Sequence, residues 1–322
     1  MISILFSSAG RRVALINCFR EAAKKLGAIV KVMATDMNPS WSPACQVADE
    51  AFEVERCTSP DFIPQMLDLC RKHNVNLVVP TIDTELMAFA ESAAFFAEIG
   101  TKIHIGGPEF VAIARDKAAT ARLLSANKIP VPQTWGIPDL LDDSFSPAFP
   151  LLLKPVDGSC SKGIAFVSSI EDVREKTKVR DNWMAQEVCT GREYTINCFY
   201  DSGGNCAACV PHFRKFVRDG EVCFAETERI PEFMAIAHRF SRIFPGIRGC
   251  ICFQGFKQND GSVRVFEINA RFGGGYPICD QAGGTFARWI IQDLMGIQPD
   301  YHDNWREGVR MLRYDEAIFI QG

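Results

Sequence analysis

VRVFEINARFGGGYP, residues 263–277, is the stretch of sequence from which the fold and the site follow. Glu267, Asn269 and Arg271 alternate with apolar residues, and residues two apart on an extended strand share one face. A carboxylate and an amide carbonyl suit a hard divalent cation, and a guanidinium beside them suits an anionic oxygen. The three glycines that follow allow backbone to approach a ligand closely. The stretch therefore predicts a strand that ends in a metal and anion site.

The residues before this strand place a third oxygen donor across from the carboxylate. Two β-runs meet at an Asp-Gly pair, residues 260–261, which predicts a two-residue hairpin turn. Counting back from that turn predicts three cross-strand pairs: Asn259 with Ser262, Gln254 with Glu267, and Cys252 with Asn269. We therefore expect Gln254, Glu267 and Asn269 on one sheet face. The alternative is a solvated face that carries ordinary polar residues.

Composition limits the class of protein. The chain has 322 residues, enough for two or three domains, with 47% hydrophobic and 23% charged residues, as in a soluble globular enzyme. The formal net charge of −4 argues against a general nucleic-acid-binding protein. No apolar run is long enough to span a membrane, and the amino terminus enters a strand pattern without the basic segment of a signal peptide. We expect a cytoplasmic protein.

The cysteines are numerous but scattered. The chain has 13 of them, mostly inside apolar runs, which is typical of reduced, buried thiols in a cytoplasmic protein. Cys206 and Cys209, followed by His212, form the single CxxC pattern. A structural zinc site needs a fourth ligand, and none is evident. We therefore favour thiols on a hairpin over a metal or redox site.

Strands and helices alternate in the first third of the chain, which predicts a parallel, doubly wound sheet with its ligand crevice at the carboxyl ends of the strands. Residues 7–12 occupy the place of a dinucleotide loop, and Asp36 lies where an acidic residue meets a ribose. The glycine pattern is missing, so an NAD-dependent oxidoreductase is the weaker alternative. Several residues at the strand ends either serve a second substrate or cap helices: Ser7, Gly10, Arg11, Asp83 and Glu85.

A new unit begins near Asp116. An apolar strand carries Lys154 near its end, and the small-residue loop VDGSCSKG, residues 156–163, precedes the next strand. Backbone N–H groups of such a loop can hold a phosphate, although the Walker pattern GxxxxGK[ST] is absent. Further along, Arg214 and Arg218 surround an Asp-Gly turn. They either hold a substrate carboxylate or belong to an exposed basic hairpin.

Together these motifs resemble the ATP-grasp ligases, in particular the carbamoyl phosphate synthetase large-subunit branch and its short stand-alone relatives. The resemblance covers essentially the whole chain and is carried by four motifs: DK at 116–117, KP at 154–155 with the loop to 163, QExxxGxE at 186–193, and Gln254 followed by EINAR at 267–271. It implies an α/β fold with a Rossmann-like parallel-sheet domain over residues 1–114 and a two-lobed α+β ATP-grasp domain over 115–322. The second domain would divide into a lid subdomain, about 118–185, and a metal-binding subdomain, 186–322.

The resemblance also implies roles for single residues. The phosphate-binding residues would be Lys117, Lys154, Ser159, Ser161 and Gly163. The hinge that meets adenine would comprise Gln186, Glu187 and Val188, and Glu193 would bind the ribose. The ligands of Mg²⁺ (or Mn²⁺) would be Gln254, Glu267 and Asn269, with Arg271 steadying the γ-phosphoryl group and the acyl phosphate. One departure is that Cys160 and Lys162 stand in the loop where relatives usually carry small residues.

The activity expected from the resemblance is ADP-forming ligation. ATP would phosphorylate a carboxylate, and an amine or another nucleophile would displace the phosphate, with Lys154, Glu267 and Arg271 carrying the chemistry. The partners would be a small-molecule carboxylate and an amine, and a homodimer is the assembly considered. Two alternatives stay open: a non-catalytic ATP-binding regulatory protein, and carbamoyl-phosphate-synthase-like phosphorylation of a small carboxylate.

Overall fold

The structure is a computed structural model that describes residues 1–142, 147–158, 163–178 and 182–320. Its described residues form three sheets, in the order that the sequence predicts: a parallel sheet first and two antiparallel sheets after it. Within these ranges, no helix combines the length and apolar character needed to cross a membrane.

The first sheet is parallel, with strand order β3-β2-β1-β4-β5. Its strands are β1 (Ile2–Ser7), β2 (Val30–Asp36), β3 (Glu50–Glu53), β4 (Leu77–Pro80) and β5 (Lys102–Ile103). The helices of this region are α1 (Val13–Lys25), α2 (Pro43–Val47), α3 (Phe62–His73), α4 (Leu86–Glu98) and α5 (Pro108–Arg115), with 3₁₀ turns at Pro39–Trp41 and Asp83–Glu85. The strand order reverses between β1 and β4, so the crevice lies at the carboxyl ends of these two strands. The predicted doubly wound sheet is confirmed.

A small antiparallel sheet follows, with strand order β6-β9-β7-β8. Its strands are β6 (Thr134–Gly136), β7 (Leu151–Pro155), β8 (Ala165–Val167) and β9 (Trp183–Glu187). Three helices accompany them: α6 (Lys117–Ala126), α7 (Ile137–Leu140) and α8 (Ile170–Thr177). Leu151, Leu153 and Val167 lie on the side of the sheet that packs on α7 and α8, and they form a small core of their own.

The large antiparallel sheet has strand order β14-β13-β10-β11-β12-β15. Its strands are β10 (Arg192–Tyr200), β11 (Cys206–Arg218), β12 (Glu221–Thr227), β13 (Gly249–Lys257), β14 (Val263–Asn269) and β15 (Arg310–Leu312). The remaining helices are α9 (Pro231–Ile243), α10 (Tyr276–Ala282) and α11 (Phe286–Leu294). The predicted two-lobed α+β second part is therefore confirmed.

The parallel sheet and the large sheet share one apolar core. Phe6 of β1 packs edge-on against Phe19 of α1 at 5.2 Å between ring centroids, and Phe19 contacts Phe272 at 5.8 Å. Helix α1 packs on α10 and α11 at the same place. Shared burial of this kind resists separation of the two parts. The predicted division at residues 114–115 stays a prediction.

The hairpin of β13 and β14 reaches the predicted register by a different route. The loop has three residues, 259–261, because the Gln258 N–H donates to the Ser262 carbonyl at 2.8 Å, so Asn259 does not face Ser262. Gly261 adopts φ +85°, the left-handed value that such a loop needs. A β-bulge between Gln254 and Gly255 then shifts the pairing by one residue and leaves Phe266 without a partner. The two deviations cancel, so the predicted pairs Gln254–Glu267 and Cys252–Asn269 are both confirmed.

His104 joins the parallel sheet to the large sheet. Its ring stacks on Phe272 at 5.3 Å, and its Nε2 accepts a hydrogen bond from the Cys250 N–H at 2.9 Å. An acceptor nitrogen must be unprotonated, and burial, with a smaller effect of the Arg248 charge, lowers the pKa of His104 from 6.5 to about 4. The link therefore favours the neutral ring.

This pKa makes the stability of the fold depend on pH. When the pH falls from about 7.5 to about 5, an unfolded histidine takes up a proton and the buried His104 does not. The free energy of unfolding should therefore fall by roughly 2 kcal/mol. In His104→Gln, which keeps an acceptor for Cys250, we expect a correspondingly smaller loss. Urea unfolding at both pH values measures it, with His238→Gln on the exposed side of α9 as the control. Equal losses in wild type and His104→Gln would contradict the assignment.

Candidate functional site

A cavity of about 390 Å³ lies between the small sheet, the large sheet and the glycine segment 273–275. Most of the predicted nucleotide, metal and phosphoryl residues line it, together with the predicted substrate residue Arg214: Lys117, Lys154, Gln186, Glu187, Val188, Glu193, Gln254, Glu267, Asn269 and Arg271. Ser159 and Ser161 lie outside the described residues. Gly163 is described, but it is not part of the cavity wall.

The three oxygen donors face the cavity together, because the cross-strand register aligns Gln254 with Glu267 and Asn269 follows two residues later. Glu267 Oε1 lies 3.2 Å from the Lys117 ammonium, at the start of α6, which packs on β14. Asn269 Oδ1 accepts from Arg271 Nη2 at 3.3 Å. One carboxylate and two amide oxygens that open on the same cavity are a donor set that fits Mg²⁺.

Two lysines bring positive charge to the same cavity. Lys154 is buried and donates to Gln186 Oε1 at 2.9 Å. Burial, together with the nearby Lys117 charge, lowers the pKa of Lys154 to about 8, although Glu267 opposes the shift. Lys117 also donates to the Gly158 carbonyl at the start of the loop. A buried ammonium with a lowered pKa gains when an anion binds beside it.

Glu193 and Arg214 form an ion pair on the cavity wall, with 2.9 Å between Oε1 and Nε. Thr195 Oγ1 and the Gly220 carbonyl accept further hydrogen bonds from Arg214, at 3.2 and 3.1 Å. Burial raises the pKa of Glu193, with Glu267 adding to the shift and Arg214 opposing it. Arg214, predicted for a substrate carboxylate, is thus engaged by Glu193.

Apolar side chains form a slot at the other end of the cavity, between the small and large sheets. They are Leu152, Ile164, Phe166, Val188, Phe256 and Phe266. The Glu187 side chain pairs with Arg264, and the backbone N–H of Glu187 donates to the Gln133 carbonyl at 2.9 Å. Sequence reasoning missed most of the slot, because the apolar residues that build it come from four separate strands and two connecting segments, and the strand residues each look like core residues of their own strand.

Arg271 lies just past the end of β14 and forms an ion pair with Asp83, in the 3₁₀ turn after β4, at 2.7 Å. Burial alone would raise the pKa of Asp83, but the charge and hydrogen bond of Arg271 outweigh it and hold that pKa below its usual range. Asp83 was predicted either to serve a substrate or to cap a helix. The structure places it where it orients Arg271.

Six residues that were predicted as substrate candidates do not line the cavity: Ser7, Gly10, Arg11, Asp83, Glu85 and Arg218. Arg11 is exposed, and Arg218 is exposed and pairs with Asp315 at 2.6 Å, so the basic-hairpin alternative holds for Arg218. Glu85 is fully buried and accepts from Ser7 Oγ at 2.6 Å and from the Thr81 N–H at 2.7 Å, which makes it a structural tie. Gly10 donates its N–H to Asp36 at 3.1 Å.

Three charged residues of the site were not singled out from the sequence. Arg12, next to the exposed Arg11, lines the cavity and lies 3.6 Å from Glu221 of β12. Arg313 lies 3.2 Å from the other Glu221 oxygen and donates to the Gly274 carbonyl at 2.7 Å. The pair Arg11-Arg12 in a strand-to-helix loop was the available signal for Arg12. Glu221 and Arg313 gave none, since only tertiary packing joins them.

The glycine segment packs against the protein's own side chains as well as the cavity. A Cβ on Gly274 would lie 1.8 Å from Glu221 Oε2, and one on Gly275 would lie 2.6 Å from His212 Nε2. Both contacts leave no room for a methyl group. The glycines thus allow a close approach to their backbone, but the groups that approach Gly274 and Gly275 are the chain's own Glu221 and His212 side chains.

The two CxxC cysteines lie on β11 as free thiols, with Cys209 buried opposite Cys198. Among the residues that the structure describes, no group of three His, Cys, Asp or Glu side chains is arranged to hold a metal.

Family models match both parts of the chain. Residues 4–104 match the PylC-like N-terminal domain, and residues 179–317 match the model described as ATP-grasp in the biosynthetic pathway with Ter operon. Residues 179–317 belong to the ATP-grasp superfamily. The predicted superfamily is confirmed, and the carbamoyl phosphate synthetase branch stays a prediction. A search of curated protein sequences finds no significant match.

Solved structures share the fold at low identity. The biotin carboxylase domain of Hydrogenobacter thermophilus 2-oxoglutarate carboxylase has a TM-score of 0.75 and 16% identity over 96% of this chain and 73% of its own. The L-amino acid ligase from Bacillus licheniformis has a TM-score of 0.69 and 16% identity, over 95% and 78%. The N5-carboxyaminoimidazole ribonucleotide synthetase from Thermotoga maritima has a TM-score of 0.65 and 20% identity, over 94% and 77%.

The packing of this ATP-grasp protein's glycine segment generates a stability prediction. Gly275 has φ −83°, so alanine meets no backbone penalty there, but its methyl group would overlap the buried His212 ring and lie 3.2 Å from Val222 Cγ1. We expect Gly275→Ala to lower the free energy of unfolding by about 1–3 kcal/mol through overpacking. Chemical denaturation measures it, and the double variant Gly275→Ala/His212→Ala should be less destabilised than the sum of its single variants. Strict additivity would refute the contact.

Proposed function

We propose that this ATP-grasp enzyme is an ADP-forming ligase that joins a small carboxylate to an amine or another nucleophile. The observation that carries the proposal is the shared cavity, in which Lys117, Lys154 and Arg271 surround the oxygen donors of β13 and β14. Cations and a hard-metal donor set in one cavity suit a triphosphate, and the adjoining apolar slot suits a flat base.

The nucleotide is assigned along the length of the cavity. The adenine would occupy the apolar slot beside Glu187 and Val188, where ring stacking and burial favour a flat aromatic group. The ribose would reach Glu193, and the phosphates would reach Lys117 and Lys154. In this assignment the phosphates would stabilise the buried Lys154 ammonium, whose lowered pKa reflects the cost of burying its charge.

Gln254, Glu267 and Asn269 would hold the divalent metal, for which Mg²⁺ is the natural choice. When bound, Mg²⁺ supplies neutralisation of the charge on the phosphate oxygens. The Lys117 ammonium, 3.2 Å from Glu267, balances the same carboxylate from the other side.

The reaction needs no nucleophile from the protein. A substrate carboxylate oxygen would attack the γ-phosphorus while the bond to the β–γ bridging oxygen breaks, which gives an acyl phosphate and ADP. The amine would then attack the acyl carbon and lose a proton as inorganic phosphate leaves. Lys154 and Arg271 would align the groups and offset the charge that spreads over the transferring phosphoryl group. Asp83 would keep the Arg271 guanidinium oriented.

Two structural neighbours support the substrate class. The Hydrogenobacter thermophilus domain was solved as a dimer with MgADP and bicarbonate, and the Bacillus licheniformis protein is named as an L-amino acid ligase. Both names describe chemistry on a carboxylate-type group. The predicted homodimer stays a prediction for this chain.

The direct test is an ADP-release screen with Mg·ATP, in which single carboxylates and amines are added alone and in pairs. A carboxylate–amine pair that raises ADP release above either component supports ligation. Release with a carboxylate alone indicates phosphorylation without ligation. ATP binding without release under any pair would favour the non-catalytic regulatory protein and overturn the proposal.

Glu267→Gln tests the metal-binding carboxylate. The substitution keeps the size of the side chain and removes its charge, so ADP formation should fall by at least about 100-fold while thermal stability changes little. Glu232→Gln, at an exposed position in the first turn of α9, is the matched control and should leave ADP formation unchanged. Undiminished turnover in Glu267→Gln would count against the assignment.

Lys154 gives ATP binding a distinctive pH dependence. Its ammonium in the free protein deprotonates near pH 8, so ATP binding at higher pH must include proton uptake, and the affinity should fall as the pH rises above about 8. Lys154→Arg should remove this dependence, since the guanidinium stays charged. Lys154→Ala should weaken ATP binding roughly 10- to 100-fold at neutral pH. Titration with a fluorescent ATP analogue measures all three, and pH-independent wild-type binding would be inconsistent with the role.

A further inference from the structure

Arg12 is a cavity residue whose charge is poorly satisfied. It begins α1 at the crevice of the parallel sheet, and its side chain is 20% exposed. Among the described residues its hydrogen-bond and ion-pair partners are the Thr81 carbonyl at 3.4 Å and Glu221 at 3.6 Å, both at the long limit for such contacts. A mostly buried guanidinium with only long contacts favours an additional anion.

Arg12 and Arg271 are held by the same short segment at the end of β4. Arg12 contacts the Thr81 carbonyl, and Arg271 contacts Asp83 two residues later. The two guanidinium groups repel each other, and burial together with the Arg271 charge lowers the pKa of Arg12. A negative group between them would relieve both effects.

Charge at this end of the cavity is unbalanced. Three guanidinium groups, those of Arg12, Arg271 and Arg313, meet two carboxylates, Asp83 and Glu221. Glu267 is nearby but is paired with Lys117. Within the described part of the chain, one positive charge is therefore left for a ligand.

We propose that Arg12 and Arg271 together hold the carboxylate that ATP phosphorylates, and that the substrate is a small acid with one carboxylate. This inference rests on the proposed ligase function for the chemistry, but the anion site itself stands on the contacts of Arg12. Arg12, from the loop after β1, would then bind the substrate carboxylate. Arg271, just past the end of β14, would contact both this carboxylate and the phosphoryl group.

Glu221 supplies the selectivity for one carboxylate. It lines the same cavity, pairs with Arg313 at 3.2 Å, and packs against the Gly274 backbone, so it cannot easily move away. The charges of Arg12 and Arg313 outweigh its burial and hold the pKa of Glu221 low, so it stays ionised. A second substrate carboxylate at this wall would meet that negative charge.

The experiment measures thermal unfolding midpoints in the presence of Mg·ADP while acetate, bicarbonate, L-alanine, malonate or succinate is titrated at constant ionic strength. Wild type should show saturable stabilisation by at least one of the three monocarboxylates and weaker stabilisation by the dicarboxylates. Arg12→Gln should raise the apparent Kd of that acid at least about 10-fold, which corresponds to roughly 1.4 kcal/mol. Arg11→Gln, at the exposed neighbouring position, should match wild type.

Two further measurements separate the possible outcomes. Titration with ADP alone should give the same midpoint shifts in wild type and Arg12→Gln, because Arg12 is assigned to the acid and not to the nucleotide. Arg12→Lys should give an intermediate acid affinity, since it keeps the charge and loses the planar fork. The inference would be overturned if none of the acids stabilised wild type saturably, or if Arg12→Gln and Arg11→Gln bound the acid with equal affinity. Loss of ADP binding with retained acid binding would instead overturn the proposed function alone.

Discussion

The pairing of Gln254 with Glu267 is the constraint on which the site depends. A one-residue slip of either strand would send the carboxylate to the opposite face of the sheet, away from the lysines. The loop of residues 259–261 alone would impose such a slip, and the bulge at Phe266 reverses it. Bulges often re-aim a side chain beside an active site. Asn269 and then Arg271 follow Glu267 along the same strand end, and Arg271 meets Asp83 at the crevice of the parallel sheet.

Charge pairing is the second organising feature, and it joins the two parts of the chain. Arg271 from the large sheet meets Asp83 from the parallel sheet, and Arg12 from the parallel sheet reaches Glu221 from the large sheet. Buried ion pairs stabilise little by themselves because desolvation offsets the attraction. Their contribution is geometric: each pair fixes a cation at the cavity wall. The aromatic contacts of Phe272 with Phe19 and His104 provide the apolar burial that holds the two sheets together.

The sequence predicted the features that depend on local pattern. Alternating strands and helices, the period-two spacing of Glu267 and Asn269, and the order of the family motifs predicted the sheets and most of the residues that line the cavity. Features made by distant segments escaped. Glu221 and Arg313 lie 92 residues apart and meet only because β15 pairs with β12. The hairpin loop was misjudged because Asp-Gly fits both a two-residue turn and the end of a three-residue loop with Gly261 in the left-handed region.

The choice between Arg11 and Arg12 shows what backbone geometry adds to a motif. The loop after β1 lacks the dinucleotide glycines, yet Ser8 and Gly10 both adopt φ near +48°. The turn they form lets the Ala9 N–H donate to the Thr35 carbonyl, and the Arg12 N–H to the Ala9 carbonyl, both at 2.9 Å. Arg12 then stands at the start of α1, facing the crevice, while Arg11 points to solvent. A loop that in other proteins brings backbone to a pyrophosphate thus presents a guanidinium here, and this favours a small anion over a dinucleotide at the same strand ends.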